Sequence, residues 1–126
     1  MAREVKVYTI DDHIEKASEE TRRLFESLRE SILNIGSEVK EVPKKKYIAY
    51  KTTSNFADVV ILKDSLKLFI NVPSGKLNDP ARIARDLETP KHIGHWGNGD
   101  YEVIIKEGDK LPYIATLIEQ SYRTSK

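Results

Sequence analysis

Between Lys91 and Tyr101 the chain gathers three glycines, two histidines and its one tryptophan into nine residues. Glycines let a backbone approach a ligand closely, an imidazole such as His95 can move a proton near neutral pH, and Trp96 offers a planar face. The run is not a dinucleotide fingerprint, because those glycines follow a strand and open a helix, whereas here the strand-like Tyr101, Val103 and Ile105 come next. A tight hairpin with Trp96 packed inward accounts for the same composition. His92 and His95 with Asp86 or Asp100 make too small a ligand set, since no helix enforces their spacing, so neither a metal nor a cofactor is expected.

Two further constellations carry charge. Arg85, beside Asp86 and near Lys91 and His95, could clamp a carboxylate or phosphate, although a surface ion pair explains it as simply. Tyr47, Lys51, Lys63, Lys67 and Phe69 share odd positions and could interleave rings with ammonium groups, as single-stranded nucleic acid requires. Solvating lysines on an open sheet face are the plainer account. No serine sits in a nucleophile elbow, and nothing resembles a Ser-His-Asp set. The candidate ligand-binding residues are therefore Tyr50, Lys51, Lys67, Arg85, His95 and Trp96.

These residues must be held by a compact frame, and 126 residues suffice for one domain, 1–126, with one core. Hydrophobic residues at 39% and charged residues at 33% exclude both a disordered chain and a membrane-embedded one. No apolar run reaches the roughly 18 residues of a bilayer span, and Met1 to Tyr8 lacks a signal-peptide core, so membrane insertion and secretion are not expected. The lack of cysteine removes sulfur chemistry and suits a cytoplasmic address. The net charge of +1 hides a basic middle: residues 40–91 hold eleven basic against six acidic side chains. That excess hints at an anionic partner without amounting to the dense basic stripe of a committed nucleic-acid binder.

The elements follow from spacing. Thr9 with Asp12, and Ser18 before Glu19 and Glu20, mark two helix starts. Leu24, Phe25, Leu28, Ile32 and Ile35 form one stripe of the second helix, which Gly36 stops. Four strands are expected at about 38–42, 46–52, 56–63 and 66–72, with short links that make neighbours antiparallel. Parity assigns Ile48, Tyr50, Val60, Leu62, Leu66, Leu68 and Ile70 to the core face. Asp79-Pro80 opens a short helix with Ile83, Ala84 and Leu87 inward, Asn98-Gly99 marks a hairpin before a fifth strand, and a last helix carries Leu111, Ile114, Leu117, Ile118 and Tyr122. The expected fold is α+β: a twisted, mainly antiparallel sheet of about five strands with the N-terminal and C-terminal helices packed on one face.

An ordered set of motifs spans nearly the whole chain: Tyr8 to His13, Lys46 to Lys51, Asn55 to Val60, Leu66 to Asn71, Asp79-Pro80, Ala84 to Asp86, and Gly94 to Asp100 before Tyr101-Glu102-Val103. It resembles the uncharacterised family labelled predicted transport protein. That resemblance implies a domain also found appended at the C-terminus of larger, nuclease-like proteins, and so an accessory or recognition role; it supplies no catalytic residues. Without a membrane span the chain does not read as a transporter, though it could act beside one. The sequence thus points to a binding module for an anionic or planar ligand, nucleic acid first among them. The alternatives are a small-molecule enzyme using His95 as acid or base with Asp86 or Asp100 as its orienting carboxylate, and a protein-interaction domain, alone, as a homodimer or with a partner protein.

Overall fold

A computed structural model describes residues 7–88 and 100–125. The short helix α1 (Ile10–Ile14) starts at a reciprocal cap: the Asp12 N–H donates to Thr9 Oγ1 at 3.3 Å and the Thr9 N–H to Asp12 Oδ2 at 2.9 Å. In α2 (Glu19–Leu33), Ser18 Oγ accepts from the Thr21 N–H at 3.2 Å, and Phe25, Leu28 and Ile32 are buried along the expected stripe. The helix ends at Leu33 with Asn34 as its cap, three residues before Gly36. Gly36 serves a different purpose, because a Cβ there would meet the Tyr122 hydroxyl and the Glu38 carboxylate, which are hydrogen-bonded to each other. Gly36→Ala is expected to separate that pair and to cost about 1–3 kcal/mol, measurable as a lower urea midpoint.

The strands β1 (Lys40–Pro43), β2 (Ile48–Lys51), β3 (Asn55–Ile61), β4 (Leu66–Ile70), β5 (Arg85–Asp86) and β6 (Tyr101–Ile105) form one antiparallel sheet in the order β1-β2-β3-β4-β6-β5. There are six strands because Arg85-Asp86 pairs with Tyr101-Glu102, where a helix was expected. Asp79-Pro80 opens a turn instead, closed by the Arg82 N–H on the Asp79 carbonyl at 3.0 Å. Arg82 then sits at φ +54°, a left-handed conformation that takes the chain out of any helical path. Of the three side chains expected inward, Leu87 is buried, Ala84 half-buried and Ile83 exposed.

The register corrects the face assignment in β3. Ile48 pairs with Val59, and Val59 with Leu68, so the odd residues Ala57, Val59 and Ile61 lie beside the even residues of β2 and β4. Val60 is therefore only half-buried and Leu62 is exposed. Phe56 is the extra residue of a bulge, since Tyr50 pairs with Ala57 and Lys51 with Asn55. It is fully buried and meets Tyr122 edge-on, ring centroids 5.5 Å apart. The final helix, α3 (Leu111–Thr124), buries Ile114, Leu117, Ile118 and Tyr122 as expected. Both α2 and α3 share one core with Ile48, Tyr50, Val59, Leu68, Ile70, Val103 and Ile105, which places the two helices on a single face of the sheet.

Candidate functional site

The sheet face turned away from α2 and α3 follows by alternation. One row across it runs Val42, Ala49, Asp58, Phe69, Glu102, Arg85, residues paired strand to strand. On one side of that row lie Lys40 and Lys51, directly opposite each other. On the other lie Val60, Lys67 and Ile104. In the middle row Ala49, Asp58 and Phe69 are buried, and Asp58 Oδ1 accepts from Asn55 Nδ2 at 3.1 Å. A buried Phe69 cannot stack on a base, which leaves the half-buried Tyr47 as the candidate ring of this face among the described residues.

The four candidate residues among those described, Tyr50, Lys51, Lys67 and Arg85, are not brought together. Tyr50 lies on the opposite face, fully buried, with its hydroxyl donating to Glu41 Oε2 at 2.8 Å. Glu41 in turn accepts two bonds from Arg29 of α2, at 2.7 and 2.9 Å. Burial first, then the charge of Glu41 and its hydrogen bond, push the Tyr50 phenol far above its ordinary value near 10. Tyr50, expected in a ligand cleft, instead ties β2 to Glu41 from within the core. His95 and Trp96, with His92 and the Asn98-Gly99 turn, lie outside the described residues.

Lys51, Lys67 and Arg85 do share the helix-free face. Strand spacing puts Lys67 about 12 Å from Arg85 and about 18 Å from Lys51, too far for one small anion to touch all three. None of these cations forms an ion pair among the described residues, in contrast to Arg23, Arg29 and Arg123, which do. Across from Arg85 stands Glu102, a half-buried acid of this face. Asp86 and Asp100, the carboxylates named for an acid–base site, both hold Ser74, whose hydroxyl donates to Asp86 Oδ2 at 2.6 Å and whose N–H donates to Asp100 Oδ2 at 3.0 Å, and Asp86 Oδ1 also accepts from the Glu88 N–H at 2.9 Å. No cluster of three or more metal-ligating side chains occurs among the described residues. No helix among them is long and apolar enough to cross a membrane.

A family model described as "Domain of unknown function (DUF5655)" matches residues 10–125. The chain belongs to this family. An "Uncharacterized protein" of Haemophilus influenzae is 38% identical to the DUF5655 chain over 121 residues, which is 96% of this chain and 39% of that protein. The chain therefore spans about two fifths of the length of the relative it matches. No solved structure matches significantly.

Sequence reasoning missed two residues of this DUF5655 surface. Lys40 carries no signal of its own within a single strand, and only its register partner Lys51 makes it half of a like-charged pair. Ile104 has a signal of its own, an apolar residue on the polar side of the alternation Tyr101-Glu102-Val103-Ile104-Ile105.

Proposed function

We propose that this DUF5655 domain is a cytoplasmic accessory binding module whose helix-free sheet face takes the phosphate backbone of a nucleic acid. The observation that carries the reading is the spread of cations without an ion pair: the opposed pair Lys40 and Lys51, then Lys67, then Arg85 lie along one face, and the pair and the two single cations stand farther apart than a small anion can bridge and within the reach of a charged polymer. Pairing Lys40 with Lys51 directly across two strands costs stability unless an anion sits between them. The Haemophilus influenzae relative supports the accessory role, since the matched region is a part of a longer chain there. His95 and Trp96 belong to the proposal as groups that would meet bases, alongside the half-buried Tyr47.

Fluorescence anisotropy with a mixed-sequence 20-nucleotide single strand tests this between 50 and 200 mM salt. Three to four phosphate contacts predict a slope of log K against log salt of roughly −2 to −3. Lys51→Glu with Lys67→Glu should weaken binding at least tenfold and flatten that slope, while Glu102→Gln should strengthen it. Trp96→Ala should cost about 1–3 kcal/mol if the indole stacks on a base. An affinity indifferent to salt and to the lysine changes would refute the reading.

A further inference from the structure

The second sheet edge is incomplete. The Leu87 N–H donates to the Asp100 carbonyl at 2.7 Å, so residues 100, 102 and 104 turn their main-chain groups toward β5. Pairing stops at Arg85 with Glu102, and Ile104, next in the alternation, has neither its N–H nor its C=O bonded among the described residues. The chain has been drawn off by the Asp79 turn. The Asp79 carboxylate accepts from the Ala84 N–H at 2.8 Å and from the Tyr113 hydroxyl, which itself accepts from the Ala81 N–H at 3.0 Å.

What remains between this turn, the β6 edge and the start of α3 is a groove of about 520 Å³, lined chiefly by Ile83, Val103, Ile104, Lys110, Tyr113 and Ile114. Ile83 and Ile104 are 41% and 42% exposed, two of the few large apolar side chains that face solvent. Two other polar side chains of the groove have partners within the fold: the Tyr113 hydroxyl as above, and the Asp109 carboxylate, which accepts from the Lys106 N–H at 2.7 Å. The Lys110 ammonium makes no bond among the described residues. The groove thus offers the main-chain donor and acceptor of Ile104, an apolar wall and the Lys110 cation, with the Asp109 carboxylate turned back onto the Lys106 N–H.

We propose that this groove docks an extended acidic peptide, added as a short strand beside Val103–Ile105. Its main chain pairs with Ile104, an apolar side chain packs on Ile83 and Tyr113, and a carboxylate meets Lys110. A fatty acid would supply the carboxylate and the apolar chain but no donor–acceptor pair. A second copy is a poorer fit, because β5 and the turn in which the Asp109 N–H bonds the Lys106 carbonyl leave room for only about three residues, or roughly 10 Å.

The probe is a capped, fluorescein-labelled heptapeptide alternating glutamate and valine, titrated into the full chain by anisotropy and followed by amide NMR shifts. Expected are saturable binding, shifts at Ile104 and Tyr113, at least tenfold weaker binding of the same peptide N-methylated at alternate amides, and at least fivefold weaker binding to Lys110→Glu. The Lys110→Glu variant must melt as the parent does, and Ile104→Lys supplies a second, independent block. No binding, equal binding of a lysine–valine heptapeptide, indifference to N-methylation, or displacement by octanoate would each overturn the proposal.

Discussion

Glu41→Ala is expected to destabilise the fold by about 2–4 kcal/mol, because it strands a buried hydroxyl and breaks a charge-assisted fork at once. Glu41 sits on β1 directly opposite Tyr50, with its side chain 13% exposed, and receives Arg29 through two bonds and the Tyr50 hydroxyl through a third. Arg29 is 33% exposed and can recover water; Tyr50 cannot. Tyr50→Phe in the Glu41→Ala background should therefore recover part of the loss, and a double-mutant cycle by urea denaturation measures the coupling. The same residue gives a pH signature. The folded protein holds the Tyr50 proton well above 10 whereas the unfolded chain releases it near 10, so the native state binds more protons there and stability falls as pH rises beyond that point. The fall should be shallower in Tyr50→Phe; equal slopes for the two proteins between pH 9 and 11 would show that Tyr50 is not so perturbed.

Phe56→Ala is expected to cost about 3–5 kcal/mol, a large share of the roughly 5–15 kcal/mol that holds a domain of this size. The ring is fully buried and lies edge-on to Tyr122. Its carbonyl also accepts from the Ser121 hydroxyl at 2.6 Å and from the Asn71 N–H at 3.2 Å, so the bulge ties β3 to the segment after β4 and to α3 together. Phe56→Leu keeps most of the volume and should lose less than half as much. A change below 1 kcal/mol for Phe56→Ala would mean that the bulge is not packed as described.

The helices were legible because their signals are local. Thr9, Ser18 and the stripe of α2 say where a helix starts and which side is buried without reference to any other segment. The sheet was legible strand by strand but not face by face. Parity holds within a strand, yet each hairpin here pairs an odd residue with an even one, so carrying parity from β2 into β3 put Val60 and Leu62 in the core in place of Ala57 and Val59. The bulge at Phe56 is likewise a property of two strands rather than one. Asp79-Pro80 reads equally as a helix start or a turn; Tyr113, 34 residues away, decides it by binding Asp79. For the candidate site the residue types were legible and the grouping was not: Lys51, Lys67 and Arg85 do share a face, but Tyr50 belongs to the other.

The β1 strand has a consequence for crowded solutions. An outermost strand is an invitation to other chains, and β1 declines it with four residues that end in Pro43, which has no N–H to donate, and that begin with Lys40. Between them Glu41 points inward, where a strand recruited from a neighbour would have to displace its bonds to Arg29 and Tyr50. The carboxylate that fastens the sheet to α2 is thus also a guard against fibril-like stacking. Replacing it with valine should give a protein that clouds on concentration under conditions where Tyr50→Phe stays clear, a difference that light scattering would read directly.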